Sequence, residues 1–273
     1  MSMEYTVTLH NGVLMPIVGL GVWQVSDSEA EQAVKAALQL GYRSIDTAKV
    51  YDNEVGVGKG IAASNIKRED IFLTSKVWNS DQGYESTLKA FEASLERLQV
   101  DYLDLYLIHW PVAGKFIDTW RALETLYKEK KVRAIGVSNF QTHHLDTLLE
   151  TAEIVPMVNQ VEFHPYLTQN ELRAYCKQRS IQVEAWSPLM QGNFLKEPVI
   201  IDLAKKYNCT PAQVVLRWDV QHHVVTIPKS VSPSRMRENK DIFFFELEAE
   251  DMERLNQLNK NYRFGADPDN FDF

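Results

Sequence analysis

Two periodicities alternate along the chain. Short apolar or β-branched runs fall at Pro16–Val22, Arg43–Asp46, Ile71–Lys76, Tyr102–Ile108, Val132–Ser138, Met157–Val161, Ile181–Trp186 and His223–Ile227. Several are nearly unbroken, the pattern of strands covered on both faces. Between them, apolar residues recur at helical spacing. Ala30, Ala33, Val34, Ala37 and Leu38 make one stripe, Leu88, Phe91, Leu95 and Leu98 a second, and Trp120, Leu123, Leu126 and Tyr127 a third. Ser28 with Glu31, and Thr168 with Glu171, read as capping boxes. Thr210-Pro211 with Gln213 places proline at a first helical position, and Ser232-Pro233 repeats that signal. Ahead of all this, Tyr5–Leu9 and Val13–Pro16 flank Asn11-Gly12, a type I′ hairpin signal, and the hairpin is placed at the barrel floor. Glu248–Leu258 reads as an extra C-terminal helix followed by a polar, aromatic tail.

Eight strands alternating with helices, at roughly 30 residues per unit, predict an α/β fold of one closed (β/α)8 TIM barrel. No Pro/Gly/Ser-rich linker divides residues 1–273, so the expectation is a single domain. The runner-up, an open doubly wound sheet, needs G-x-G-x-x-G after its first strand. Gly19-Leu20-Gly21 meets Gln24, and Gly56-Val57-Gly58 meets Ile61, where the third glycine belongs.

Composition narrows the partners. The chain carries 29 basic and 37 acidic residues, a net charge of −8, which argues against nucleic acid and anionic membranes. No apolar run is long enough to span a bilayer. The start shows no secretory signal, and Cys176 and Cys209 make neither a disulfide framework nor a zinc cluster. These features read as a reduced, cytoplasmic protein. His143-His144 and His222-His223 lack companions at metal-ligand spacing, so no metal is expected.

In β/α barrels, chemistry gathers where strands end. Here those positions carry Asp46, Lys76, His109, Ser138-Asn139, Gln160, Trp186-Ser187 and Pro228-Lys229-Ser230. Singly, each has a bland reading. Asp46 with Lys76 is then a structural salt bridge, His109 a core histidine, Ser138-Asn139 a helix cap, and Lys229 and Arg235 solvated charges. Their joint placement at one mouth weakens those readings, because buried charges are costly unless paired or used.

GYRSIDTAKVYDNE (Gly41–Glu54), VRAIGVSNF (Val132–Phe140) and IPKSVSPSRMRE (Ile227–Glu238) resemble the three signatures of the aldo-keto reductases, in order. The similarity runs along essentially the whole chain. WNSDQGYESTL, YLIHWP, PMVNQVEFHP and EAWSPLMQG look most like the branch of bacterial glyoxal/methylglyoxal and 2,5-diketogluconate reductases, which lies near the protozoan prostaglandin F synthases. The resemblance implies the barrel, NADPH as cofactor, a small carbonyl substrate and a monomer. It also implies a catalytic tetrad of Asp46, Tyr51, Lys76 and His109.

Carbonyl reduction leaves negative charge on oxygen, so the site needs a proton donor and hydrogen-bonding groups there. Tyr51 is expected to donate, its pKa lowered by Lys76, which Asp46 holds charged. His109, neutral, orients the substrate oxygen. Lys76 as a Schiff-base nucleophile is the competing chemistry, and the adjacent Asp46 opposes it. On the cofactor side, Ser138, Asn139 and Gln160 suit a carboxamide, and Trp186 a stacked nicotinamide. Lys229, Ser230 and Arg235, near a helix start, suit the 2′-phosphate. By resemblance, Ser187, Leu189, Val231 and Asn239 complete the cofactor set. Trp23, Trp78 and Trp110 are expected to line an open substrate mouth, with the tail from Tyr262 to Phe273 folding over it. Lys49 reads either as a rim cation favouring anionic substrates or as a neutral surface change. The alternatives are the same chemistry on a diketo sugar acid, and a non-catalytic nicotinamide-binding regulatory subunit.

Overall fold

The computed structural model describes residues 5–273. An antiparallel hairpin, β1 (Thr6–Thr8) with β2 (Leu14–Pro16), precedes eight parallel strands. These are β3 (Leu20–Gly21), β4 (Ser44–Asp46), β5 (Phe72–Val77), β6 (Leu103–Ile108), β7 (Val132–Ser138), β8 (Val158–Glu162), β9 (Gln182–Trp186) and β10 (Val225–Thr226), hydrogen-bonded in sequence order. Parallel bridges from Val18 to Thr226 and from Gly21 to Lys229 close the ring. At that seam a Cβ on Gly21 would lie 2.8 Å from the Ile227 carbonyl oxygen, so only glycine lets the first and last strands meet.

The helices are α1 (Asp27–Gln39), α2 (Glu54–Ala63), α3 (Tyr84–Leu98), α4 (Phe116–Lys128), α5 (Thr142–Leu149), α6 (Asn170–Gln178), α7 (Pro198–Lys206), α8 (Pro211–Gln221), α9 (Pro233–Lys240) and α10 (Ala249–Asn256). The expected stripe of α1 is buried throughout, as are Phe91 and Leu98 of α3 and Trp120, Leu123 and Leu126 of α4. Residues paired in register face the same way. Leu107 of β6 pairs with Lys76 of β5, so Leu103, Leu105 and Leu107 fill the barrel interior while Asp104 and Tyr106 face the helices.

Several local expectations need correction. Gly12 alone of the Asn11-Gly12 pair has positive φ (86°), so the turn is not type I′. Gly12 N donates to Leu9 O and Leu9 N to Val13 O, a longer loop held by Asn11 Oδ1 on Val13 N. The hairpin does reach the strand starts, through Asn11 Nδ2 to Arg133 O (3.0 Å) and His10 Nε2 against Val155 O (3.1 Å). The capping box of α1 is Ser26 with Glu29, not Ser28 with Glu31. α6 follows Gln169 in the left-handed region, and Thr168 Oγ1 caps nothing. α7, starting at Pro198, is a helix the periodicity did not reveal.

Candidate active site

Asp46 closes β4, and the 3-10 turn Lys49–Tyr51 follows at once, carrying Tyr51 back over the mouth. Lys76 projects from β5 with none of its surface exposed. Its Nζ donates to Asp46 Oδ1 (2.7 Å), Thr47 O (3.0 Å) and Tyr51 OH (3.4 Å). His109 follows β6, with its ring 5.7 Å from that of Tyr51. The four residues expected to act together therefore lie together.

Their electrostatics differ from expectation at one point. Burial pulls Lys76 down, but Asp46, joined by Tyr51 and Glu184 in their ionised forms, outweighs it, so the ammonium is held more firmly than usual. Burial, assisted by Lys76, drives His109 well below the ordinary imidazole range, which makes it neutral. Tyr51 was expected to be acidified. Instead burial raises its pKa, with Asp46 and Glu184 pushing the same way and Lys76 opposing. The phenol is thus a firmly protonated hydroxyl beside a cation.

On the neighbouring strand ends, Ser138 Oγ donates to Gln160 O (2.9 Å) and Asn139 Nδ2 to His109 O (3.0 Å). Trp186 Nε1 donates to Asn139 Oδ1 (2.8 Å), which fixes the indole at the mouth. Ser138-Asn139 does not cap α5, since Gln141 and His144 occupy that place. Gln160 Nε2 donates to Asp46 Oδ2 and to Glu184 Oε2, both at 2.8 Å. Lys229 and Arg235 are exposed around the first turn of α9, with Ser230 and Asn239 buried near them and Val231 exposed. Ser187 takes a positive φ of 52° after β9, and Leu189 follows, half-buried.

The substrate side is aromatic. Trp78 packs edge-on to His109 (5.1 Å) and lies parallel to Phe273 (5.8 Å), and Trp110 meets Phe271 (5.1 Å) and Phe273 (5.2 Å). The tail thus covers the mouth. Asn79 Nδ2 holds Phe273 O (2.9 Å), and Glu162 accepts from the backbone of Phe264 (2.6 Å) and Gly265 (3.3 Å). Trp23 stands apart, half exposed and without a ring partner among the described residues. Lys49 is at the rim but paired with Asp81 (3.3 Å), so its charge is compensated.

Tail folding also gives His143 and His144 a companion that linear spacing hid. Asp269 Oδ1 lies 3.0 and 3.6 Å from their Nε2 atoms. His144 Nδ1 accepts from Gln141 N, so its neutral ring carries the proton on Nε2, the nitrogen a metal would need bare. The trio therefore anchors the tail. A cavity of about 810 Å³ at the opposite end, bordered by Tyr5, Tyr42, Arg43, Arg237, Lys240 and Phe243, contains none of the expected site residues.

Glu184 and Glu162 are site neighbours that the strand ends did not point to, whereas Phe271 and Phe273 belong to the tail expected over the mouth. Glu184 left a signal: two residues before Trp186, it shares that residue's inward face, a charge flanked by apolar Val183 and Ala185 in the buried middle of its strand.

The sequence profile of the Aldo/keto reductase family matches residues 17–260. The chain belongs to this family. This aldo-keto reductase is 64% identical over 269 residues to glyoxal reductase of Bacillus subtilis (strain 168), covering 98% of each chain. It is 46% identical over 275 residues to methylglyoxal reductase DkgA of Yersinia pestis, covering 99% of each. A Gox0644 mutant solved in complex with NADPH superposes with a TM-score of 0.94 at 46% identity, covering 98% of each chain. No described helix is long and apolar enough to cross a membrane.

Proposed function

We propose that this aldo-keto reductase works in the cytoplasm as a monomer, reducing small aldehydes and ketones with NADPH, 2-oxoaldehydes such as methylglyoxal and glyoxal foremost. The single observation that carries this reading is Lys76 Nζ, wholly buried, held by Asp46 at 2.7 Å and reaching Tyr51 OH at 3.4 Å beside a neutral His109. Identity to the glyoxal reductase supports the substrate class.

The residues present fit NADPH. Ser138, Asn139 and Gln160 bring amide and hydroxyl groups to one rim, and Trp186 is pinned there, only partly buried. Lys229 and Arg235 hold no ion pair among the described residues and sit where α9 begins, a place suited to a phosphate. When bound, NADPH supplies the hydride that carbonyl carbon accepts. Tyr51 gives its proton to the carbonyl oxygen. Lys76, kept cationic by Asp46, stabilises the charge left on the phenol oxygen. Neutral His109 orients the carbonyl, and Trp78 and Trp110, with the tail aromatics, exclude water.

A Schiff base on Lys76 is disfavoured, because its amine is held protonated and such a nucleophile must be neutral. The pairing of Lys49 with Asp81 also removes the free cation that a sugar-acid carboxylate would seek. Replacing Tyr51 by Phe tests the reading. Turnover of methylglyoxal is expected to fall about 10²–10⁴-fold, while NADPH still quenches tryptophan fluorescence with near-native affinity. Retained turnover refutes Tyr51 as the donor.

A further inference from the structure

Glu184 is 1% exposed, deep in the barrel. β8 and β9 pair in register at Gln160 and Glu184, so both side chains turn inward. Tyr51, Lys76, Asp46, Gln160 and Glu184 form one continuous hydrogen-bonded chain. Glu184 Oε1, at its end, has no partner among the described residues.

Charge arithmetic then separates the two carboxyls. The charges facing Glu184 are Asp46 from β4 and Lys76 from β5. β8 offers the neutral amide of Gln160 and, one pleat nearer the mouth, Glu162, whose carboxyl is taken up by His164 and by the backbone of Phe264 and Gly265. β10 pairs with Glu184 through apolar Val225, and Tyr51 and His109 are uncharged. One cation therefore serves two acids, and its Nζ contacts Asp46. An unpaired buried carboxylate is costly, and the cost falls on the acid without the cation. Burial, and then the charge of Asp46, push the Glu184 carboxyl up to about 8.

We propose that Glu184 is a positioning residue that sets the charge of the proton-donating site. Carrying its proton, it leaves Lys76 and Asp46 balanced. Once that proton has passed to solvent, the added negative charge makes Tyr51 hold its own proton more tightly, and reduction slows. This rests on the reading of Asp46, Tyr51, Lys76 and His109 as the reacting set.

The test is the pH profile of kcat for methylglyoxal at saturating NADPH. The native chain is expected to lose roughly tenfold from pH 7 to pH 9. Tyr51 and Lys76 are both held above their ordinary values near 10 and supply no limb there. In Glu184→Gln the same ratio is expected to shrink to about twofold or less. An unaltered alkaline limb in that variant, with turnover present, overturns the proposal. A second measurement needs no variant. In native protein labelled with ¹³C at the glutamate carboxyls, one resonance is expected to titrate near 8, far from the usual 4.5. Its absence also overturns the proposal. Native protein without NADPH-dependent turnover refutes the functional reading itself, and the proposal with it, whatever the resonance does.

Discussion

Two sets of buried acids in this barrel are satisfied differently. Between the strands and the helices, Asp104 accepts from Arg68 Nη1 (2.7 Å), Arg133 Nη1 (2.7 Å) and Leu73 N (3.0 Å). Glu54 likewise accepts from Arg97 Nε (2.7 Å), Ser75 Oγ (2.6 Å) and Ser94 Oγ (3.3 Å). Inside the barrel, Asp46 holds the one lysine and shares one amide with Glu184, and Glu184 Oε1 and His109 Nδ1 are left without partners among the described residues. Asp104 and Glu54 have donors in surplus, from guanidinium groups that still reach solvent, whereas Asp219, on α8, accepts only from Thr226 Oγ1 (2.8 Å) and its Oδ1 has no partner among the described residues. The inner acids are short of donors and sealed from water. A fully satisfied cluster resists any change of charge, whereas proton transfer requires one, so the undersupply of Asp46 and Glu184 suits the mouth.

The largest effects should separate the two regions. Asp46→Asn removes the charge that holds Lys76, and kcat is expected to fall about 10²–10⁴-fold. Its thermal midpoint should move little, because Glu184 can ionise and supply the missing negative charge. Asp104→Ala should do the reverse. Breaking a buried pair costs about 3 kcal/mol, read as a lower midpoint, while kcat per folded molecule stays near native. Thermal unfolding and steady-state kinetics on both variants check this. Equal kcat losses would erase the distinction between the regions.

How far each region could be read from the chain follows from the range of the contacts involved. Strands buried on both faces write themselves as apolar runs, so the barrel was visible, and Asp46, Lys76, His109 and Gln160 stood out at or near the ends of those runs. Glu184 was masked because its partners come from β4 and β8, 138 and 24 residues earlier. The start of α1 was ambiguous for a local reason. Ser26-Glu29 and Ser28-Glu31 have the same spacing, and only the entering backbone decides between them. The tail was expected over the mouth, but which of its rings meet Trp110 and Trp78 depends on where it lands, which no periodicity encodes. The expected acidification of Tyr51 failed because a neighbouring cation is visible in sequence and burial is not.

A smaller effect sharpens the same contrast at the surface. Arg68, Arg97 and Arg133 each hold a carboxylate, whereas Arg235, exposed near the start of α9, holds none among the described residues. A guanidinium left open there is available to a phosphate. Losing one hydrogen bond to a charged group costs about 1.5–3 kcal/mol. Arg235→Ala should therefore raise the KM for NADPH about ten- to a hundredfold and leave that for NADH nearly unmoved. Equal losses would place Arg235 away from the 2′-phosphate.

The smallest effect concerns the pair that belongs to neither region. Lys49 and Asp81 meet at 3.3 Å, partly exposed, and join the turn that carries Tyr51 to the turn that follows Trp78. Exposed pairs contribute about 0.2–1 kcal/mol and are screened by salt. Lys49→Ala should therefore lower the thermal midpoint only slightly at low ionic strength, and the difference should fade at about 1 M salt. Its KM for methylglyoxal, an uncharged substrate, should stay within about twofold of native, since a paired cation adds little field at the mouth. The informative arm uses an anionic 2-oxo acid beside methylglyoxal. If the KM for the acid rises in Lys49→Ala while that for methylglyoxal does not, the lysine reaches substrate despite Asp81. The diketo sugar acids would then regain their place as the substrate class.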